Sequence, residues 1–324
     1  MSQMMSVFGS FDAHVKTIEQ ALGVVISARD SQAEIRGEED AVKVAIDTIE
    51  ALKRMHDHGE TIGDWAVSQA MDLVRQGDVN DALSAMTDVI AVTYKGKPVK
   101  CKTIGQKNYI KAIKEHTVTI CIGPAGTGKT YLAMAMAVNA LKRKEISRII
   151  LTRPAVEAGE RLGFLPGDLQ QKVDPYLRPL YDALFDFLGQ EQAHRMLETG
   201  VIEVAPLAYM RGRTLSDCLV ILDEGQNAAL ETLKMVLTRF GEGAKVVING
   251  DVTQIDLPQE KSSGLKQCAE MLKGIDDIAV VTLNNRDVVR HKLVKEIIKA
   301  FEKHEAKEQN RQQGQNRGQY QRKG

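Results

Sequence analysis

The chain has 324 residues, of which 43% are hydrophobic and 27% are charged, and this composition is typical of a soluble globular protein with about two domains. No run of about 18 apolar residues occurs, and the first residues lack the basic and apolar regions of a signal peptide, so we expect a cytoplasmic protein without a membrane partner. The four cysteines are far apart and form no C-x-x-C pair, which argues against a zinc site or a disulfide scaffold.

Basic and acidic residues are equal in number, 43 of each, but they are unevenly distributed. Residues 93–116 contain seven lysines and one glutamate, and residues 303–324 contain six basic and two acidic residues. Such islands attract polyanions even when the net charge of the chain is zero. A lysine-rich surface that only contacts water explains the pattern equally well, so nucleic-acid binding is one of two interpretations.

Residues 1–92 are predicted to form a small α/β domain. Its order of helix, two strands and helix resembles a KH-like nucleic-acid-binding fold, although the G-x-x-G loop with which KH domains hold nucleotides does not occur here. RNA binding and protein–protein contact are therefore equal alternatives for this part of the chain. Apolar spacing and turn residues predict helices at 10–22, from 38, at 65–74 and at 81–92, and strands at 24–29 and 33–36.

A basic linker, residues 93–104, precedes a stretch that reads G-x-x-x-x-G-K-T at 123–130, the phosphate-binding loop of nucleoside triphosphatases. A strand-forming run lies before the loop and a helix-forming run after it. The glycines let main-chain N–H groups surround phosphate oxygens, Lys129 reaches the β- and γ-phosphates, and Thr130 holds Mg²⁺. The predicted nucleotide-binding residues of the loop are Gly123, Pro124, Ala125, Gly126, Thr127, Gly128, Lys129 and Thr130.

Gln106 lies in a short segment just before the strand that leads to this loop. A glutamine amide matches both the acceptor and the donor on the edge of adenine, so Gln106 favours ATP over GTP as the bound nucleotide. The guanine-binding sequence N-K-x-D does not occur in the chain, which also argues against a GTPase. A polar residue at the start of a helix is the alternative interpretation of Gln106.

Two further apolar runs end in polar residues of the kind that complete a hydrolytic site. The run 219–222 ends in Asp223 and Glu224, and we predict that Asp223 holds Mg²⁺ through water while Glu224 orients and deprotonates the attacking water. The run 245–249 is followed by G-D-x-x-Q, which resembles a helicase motif whose polar residue senses the γ-phosphate. Gln254 is the predicted sensor.

Residues 153–188 hold four of the eight prolines, so we predict an irregular insertion rather than one regular helix. Charged and aromatic side chains in this segment are suited to a channel for a nucleic-acid strand, in which phosphates meet cations and bases meet rings. A contact between subunits is an equal alternative.

Together these motifs resemble the PhoH family of P-loop ATPases, which includes proteins with a KH-like N-terminal part. The resemblance implies a cytoplasmic ATPase related to the N-terminal half of superfamily 1 helicases, with ATP and Mg²⁺ as ligands and a link to RNA. It also implies an endoribonuclease of the YbeY type as partner, and a homo-oligomer such as a hexameric ring. The resemblance rests on residues 123–130, 152–156, 159–167, 174–179, 209–214, 222–227, 250–254 and 287–291.

The expected fold class is α/β, with a RecA-like P-loop NTPase core whose mainly parallel sheet has helices on both faces. Only one such core fits in the chain, so we expect a neighbouring subunit to supply the arginine that stabilises the transferred phosphoryl group, with Arg290 ahead of Arg213 and Arg153. The predicted domains are 1–92 (KH-like), 93–104 (basic linker), 105–302 (PhoH-type ATPase) and 303–324 (disordered tail rich in Gln, Arg and Gly).

The expected function is ATP hydrolysis coupled to RNA, by remodelling or unwinding, or in RNA processing or rRNA maturation with the endoribonuclease partner. The alternative is a nucleotide-regulated oligomeric assembly factor, which recruits a nuclease without moving along RNA.

Overall fold

The computed structural model describes residues 7–29, 32–57, 59, 62–76, 87–154, 169–257 and 263–289, and also residues 293, 294, 297 and 301. Within these ranges the described side chains exclude those of residues 11, 28, 29, 32, 64, 65, 76 and 169–175. The chain divides into two units, residues 1–287 and 288–324, and every element below belongs to the first. Arg290 and the tail predicted to be disordered lie outside the described residues.

The N-terminal elements follow the predicted order of helix, strands and helices. Helix α1 ends at Gly23, whose φ of 68° lies in the left-handed region that glycine adopts easily, and whose N–H donates to Glu19 O. Strands β1 and β2 pair antiparallel, with Val25 opposite Arg36. The bounds are α1 Ala13–Leu22, β1 Val25–Arg29, β2 Gln32–Arg36, α2 Glu39–Asp57 and α3 Asp64–Gln76.

A β-hairpin follows, and here the predicted helix 81–92 is wrong over its last four residues. Strand β3, Val89–Val92, pairs antiparallel with β4, Pro98–Lys100, because three of the four β3 residues are β-branched and favour extended backbone. Hydrogen bonds join the hairpin to the part of the chain that contains the phosphate loop. Asn139 Nδ2 donates to Ile90 O at 2.9 Å, and Tyr94 N donates to Asp186 O at 2.8 Å.

A six-stranded, fully parallel sheet forms the centre of the rest of the unit. Its spatial order is β10-β5-β9-β8-β6-β7, so β9 lies between β5, which precedes the phosphate loop, and β8, which precedes Asp223. A strand placed between these two is the arrangement of a RecA-like core. The bounds are β5 Val118–Ile122, β6 Arg148–Arg153, β7 Ile202–Pro206, β8 Cys218–Leu222, β9 Lys245–Gly250 and β10 Ile278–Thr282.

Helices cover both faces of the sheet because its buried strands are apolar on both sides. Alternate residues of β8 enter separate cores: Leu219 and Ile221 pack with α4 to α7, and Val220 and Leu222 pack with α8 and α9. The predicted fold class is therefore confirmed. In the part of the chain that the structure describes, no helix is both long enough and apolar enough to cross a membrane. The helices are α4 Ile104–Glu115, α5 Lys129–Lys142, α6 Leu169–Leu188, α7 Gln190–Glu198, α8 Leu230–Leu237 and α9 Leu265–Leu272.

Helix α6 corrects the prediction of an irregular insertion over 169–188. The helix runs for 20 residues and includes two prolines, although each proline removes a main-chain donor and strains a helix. Leu177, Leu180, Leu184 and Phe187 are buried along one face. Their helical spacing shows that packing of this apolar face outweighs the local preference of proline. Residues 155–168 lie outside the described residues.

Replacing Lys245 by Met should lower the free energy of unfolding by about 1.5–3 kcal/mol, since hydrogen bonds that involve a charged group contribute roughly that much. Lys245 Nζ donates to the carbonyl oxygens of Ile113, Lys114 and His116, where the end of α4 leaves acceptors without helical partners. Urea unfolding followed by circular dichroism measures the change. The exposed Lys111→Met on the same helix is the control, and an equal loss in both variants would contradict the capping role.

Candidate active site

The phosphate loop lies at the carboxyl end of the parallel strands, between β5 and α5. The φ angles of Gly126 and Gly128 are 82° and 80°. They lie in the left-handed region, which residues other than glycine adopt only at a cost. Thr127 Oγ1 donates to Pro124 O at 2.9 Å and closes the turn. The loop thus folds as a compact ring that leads directly into the N-terminus of α5, where main-chain N–H groups and the helix dipole favour anions.

The ammonium of Lys129 lies inside this ring. The residue is only 9% exposed, and Nζ donates to Gly123 O at 2.7 Å and to Pro124 O at 3.0 Å. These neutral carbonyls hold the ammonium inside the loop that would surround the phosphates. This position fits the predicted contact of Lys129 with the β- and γ-phosphates.

Gln106 lies against the loop from the side of α4. Its Oε1 accepts from Lys102 N at 2.7 Å, and its Nε2 donates to Thr127 O at 3.0 Å. Both ends of the amide are therefore used to join the start of α4 to the loop, and Gln106 N also donates to the capping hydroxyl of Thr103. The structure places the buried Gln106 against the phosphate loop, and its recognition of adenine stays a prediction.

Asp251 anchors the loop and was not among the predicted site residues. Its Oδ2 accepts from Ala125 N at 2.8 Å, and its Oδ1 accepts from the N–H and the hydroxyl of Thr253 at 2.9 and 2.6 Å. Burial by itself would raise the pKa of Asp251, but these hydrogen bonds and the charge of Lys129 together hold the pKa below its usual value. The G-D-x-x-Q sequence contains this aspartate, so an acid next to the glycine was the available signal.

Asp223 and Thr130 meet across the cleft at the position predicted for Mg²⁺. Thr130 Oγ1 donates to Asp223 Oδ1 at 2.6 Å, and Asp223 is 6% exposed. Burial raises the pKa of Asp223, while the Thr130 hydroxyl and Arg153 oppose the increase. In the described residues no three His, Cys, Asp or Glu side chains are placed to hold a metal together. One carboxylate and one hydroxyl nevertheless fit Mg²⁺, which usually takes phosphates and waters as its other ligands.

Glu224 is held on both of its carboxylate oxygens. Arg153 Nη2 donates to Oε1 and Gln226 Nε2 donates to Oε2, each at 2.5 Å. The main chain of Glu224 has a φ of 54°, a left-handed conformation that costs a residue other than glycine about 1–3 kcal/mol. Strain of this kind is typical of a side chain whose direction matters for function.

Gln226 joins the two acidic positions; it belongs to the 222–227 motif, but no role in the site was predicted for it. It is fully buried; its Oε1 accepts from Asp251 N at 2.9 Å, and its Nε2 donates to Gln254 O at 3.0 Å as well as to Glu224. The predicted sensor Gln254 has an exposed side chain on the wall of the same cleft. Gln226 thus fixes the main chain of the Asp251 to Gln254 turn relative to Glu224.

The cleft itself has a volume of about 290 Å³. It is bounded by the loop, by Asp223 and Glu224, and by the turn that contains Asp251 and Gln254. A second cleft of about 540 Å³ adjoins it along α6 and shares Thr130, Tyr131, Asp223 and Glu224 with it.

The three arginines proposed from the sequence as catalytic candidates are in different surroundings. Arg153 lines the second cleft, whereas Arg213 forms a double hydrogen bond with Glu203 at 2.5 and 2.7 Å. Arg290 lies outside the described residues, so its role as the catalytic arginine stays a prediction.

Asp251→Asn should weaken nucleotide binding and lower the free energy of unfolding at pH 7 by about 1–3 kcal/mol, because an amide NH₂ would face either Ala125 N–H or the Thr253 donors. The folded pKa of Asp251 lies below its unfolded value of about 3.9. Its contribution to stability is therefore present above about pH 4 and is lost as the pH falls through the folded pKa.

Urea unfolding between about pH 7 and pH 3 tests this, because the difference between wild type and Asp251→Asn should shrink at acid pH. The exposed Asp276→Asn serves as the control. A difference that does not change with pH would contradict the anchoring role.

Comparison with known proteins gives the family. A family model described as PhoH-like protein matches residues 98–302. A PhoH-like protein of Bacillus subtilis (strain 168) is 48% identical over 301 residues, which cover 93% of this chain and 94% of the relative. A PhoH-like protein of Synechocystis sp. is 46% identical over 301 residues, with 93% and 92% covered, and Protein PhoH of Escherichia coli (strain K12) is 43% identical over 206 residues, with 63% and 58% covered.

Two solved structures show distant likenesses to this chain. The large terminase of a thermophilic bacteriophage aligns with a TM-score of 0.34 at 13% identity, over 60% of this chain and 48% of that one. Pif1 helicase from Candida albicans aligns with a TM-score of 0.29 at 16% identity, over 56% and 39%. Neither likeness is close enough to support an argument about function. The match to residues 98–302 and the similarity over 93% of the chain establish that this chain belongs to the PhoH-like protein family.

Proposed function

We propose that this protein binds and hydrolyses ATP with Mg²⁺ and uses the reaction to act on RNA. Family membership and the P-loop support an ATPase-type function. The observation that supports hydrolysis most directly is the position of Glu224, which lies beside the Thr130 and Asp223 pair and is oriented on both carboxylate oxygens. Simple nucleotide binding would not require an oriented carboxylate on strained main chain at this place.

Binding of the triphosphate follows from the groups that line the loop. Main-chain N–H groups at the start of α5 face the phosphates, and Lys129 exchanges Gly123 O and Pro124 O for oxygens of the β- and γ-phosphates. Thr130, and Asp223 through water, would hold the Mg²⁺ ion. When bound, the ion neutralises charge on the phosphate oxygens and favours the ionised form of Asp223.

Hydrolysis requires a water positioned in line with the γ-phosphate. Glu224 orients this water and accepts its proton as the water oxygen bonds to the γ-phosphorus. The bond from the γ-phosphorus to the β–γ bridging oxygen breaks at the same time, which yields ADP and inorganic phosphate. Gln254, whose main chain is fixed by Gln226, contacts the γ-phosphate as a sensor.

The RNA substrate is supported by the turn of the β3–β4 hairpin. Tyr94 is 70% exposed and lies next to the exposed Lys95 and Lys97. An exposed ring flanked by lysines can stack on a base while the ammonium groups contact phosphates. The endoribonuclease partner and a homo-oligomer such as a hexameric ring are part of the same proposal and rest on the family resemblance.

A second candidate function is a nucleotide-regulated assembly factor, and an apolar groove favours it. The groove has a volume of about 540 Å³ between α8 and α9. Met271 and Phe240 on its wall are exposed, and exposed apolar surface of this kind often marks a protein contact. In this alternative ATP fixes the form that recruits a nuclease, without movement along RNA.

Lys129→Ala and Glu224→Gln should separate binding from hydrolysis. We expect Lys129→Ala to weaken ATP binding about 10- to 100-fold through loss of charged hydrogen bonds. Glu224→Gln should bind within about twofold of wild type but hydrolyse ATP at least about 100-fold more slowly, because general-base catalysis is lost.

Equilibrium titration with a fluorescent ATP analogue and a phosphate-release assay measure the two effects. Lys142→Ala, at the far end of α5, is the control for Lys129, and the exposed Glu145→Gln is the control for Glu224. Equal loss of binding in the Lys129 and Glu224 variants would be incompatible with the roles assigned to them.

Single-stranded RNA should increase the ATPase rate, and RNA binding should weaken with salt because phosphate contacts release counterions. Replacing both Lys95 and Lys97 by Gln should lower RNA affinity about tenfold. The control replaces Lys142 and Lys144 by Gln, which removes the same charge elsewhere on the surface. An ATPase rate that does not change with RNA, in a protein that still binds a nuclease, would favour the assembly factor.

A further inference from the structure

Arg153, the last residue of β6, connects the acidic pair of the site to helix α6. Its Nη1 donates to Tyr176 O at 2.6 Å and its Nη2 donates to Glu224 Oε1 at 2.5 Å. Its Nε lies 4.0 Å from Asp223 Oδ2, and the side chain is only 19% exposed. One guanidinium thus bridges a main-chain carbonyl of α6 and two carboxylates of the nucleotide cleft.

The charges around Arg153 depend on what occupies the neighbouring cleft. Asp223 and Glu224 share this one guanidinium, and Asp223 also faces the hydroxyl of Thr130. A cation held by Thr130 and Asp223 would weaken the attraction between Arg153 and the pair. A terminal phosphate beside it would offer a more highly charged acceptor, whose oxygens match the planar fork of a guanidinium.

We propose that Arg153 is a γ-phosphate sensor supplied by the same chain. With a nucleoside triphosphate bound, the guanidinium leaves Glu224 Oε1 for a γ-phosphate oxygen and keeps its bond to Tyr176 O. Glu224, which Gln226 still holds through Oε2, then accepts from the attacking water through Oε1. This inference rests on the proposed function, since it requires a triphosphate in the cleft.

Helix α6 is the element that would respond when Arg153 moves from Glu224 to the γ-phosphate. Besides Tyr176, the helix contains Asp186, whose Oδ2 accepts from Tyr131 OH at 2.6 Å and whose main-chain oxygen accepts from Tyr94 N. Tyr131 directly follows Thr130, the residue proposed to hold Mg²⁺, and Tyr94 belongs to the turn with Lys95 and Lys97. In this proposal Arg153 therefore connects the phosphate end of the nucleotide to α6, the helix that contacts the β3–β4 hairpin.

The test compares ADP with the non-hydrolysable β,γ-imido analogue of ATP, both with Mg²⁺, by titration calorimetry. Wild type should bind the analogue at least about tenfold more tightly than ADP, as expected for one charge-assisted contact to the γ-phosphate. Arg153→Gln should lower this preference about tenfold relative to wild type and leave ADP affinity unchanged, and any preference that remains comes from Lys129 and Gln254. Arg153→Lys keeps the charge without the fork, and should keep part of the preference.

The matched control is Arg148→Gln. Arg148 begins the same strand, at the end away from the nucleotide cleft, and donates to Ser216 O, so its loss should leave the preference at the wild-type value. Hydrogen exchange over residues 169–188 gives a second result that does not depend on activity. Binding of the analogue should change the exchange rates of the main-chain amides in this segment in wild type and in Arg148→Gln, but not in Arg153→Gln.

The outcomes separate the two proposals. If wild type binds and hydrolyses ATP but Arg153→Gln and Arg153→Lys keep the full preference for the analogue, the sensor is wrong and the ATPase stands. An equal loss of affinity for ADP and for the analogue also overturns the sensor, because it shows a general effect on the cleft. If wild type binds neither nucleotide, the proposed function fails and the sensor with it.

Discussion

The hydrogen bond from Ala125 N–H to the carboxylate of Asp251 fixes the phosphate loop against the sheet. It forms because β9 lies directly beside β5, so that the residue after β9 meets the loop after β5. A buried carboxylate is stable here because Thr253 and Ala125 donate to both of its oxygens. The main chain of the loop is thus set by the sheet rather than by the nucleotide, which is the preorganisation that a phosphate site needs.

From Asp251 a continuous path of polar contacts crosses the site. Asp251 N donates to Gln226, Gln226 donates to Glu224, and Arg153 connects Glu224 to the main chain of Tyr176. Because buried polar groups must be paired, a change at one member of such a path requires its neighbours to rearrange. The path gives a physical route by which the occupant of the cleft and the position of α6 can depend on each other.

The sequence predicted the parts of the site that are contiguous in the chain and left out those that are distant partners. The spacing of the motifs predicted the roles of Lys129, Thr130, Asp223 and Glu224. The hydrogen bond between Ala125 and Asp251 joins residues 126 positions apart and depends on the order of the strands in the sheet, which the sequence does not show directly. The two wrong secondary-structure predictions also arose because contacts with distant parts of the chain outweighed the local pattern. Local patterns predicted a helix where pairing with β4 makes Val89–Val92 a strand, and proline content concealed a helix that its apolar face stabilises.

The β3–β4 hairpin has a practical consequence for shortened versions of the protein. The predicted boundary at residue 92 falls between its two strands, and Asn139 of the P-loop helix donates to Ile90 in the first of them. A protein that began after residue 92 would leave β4 as an unpaired edge and deprive that helix of a side-chain hydrogen bond. The smallest piece that retains the surroundings of the phosphate loop therefore begins before Val89, and proteolytic trimming in the hairpin would affect the nucleotide site from outside it.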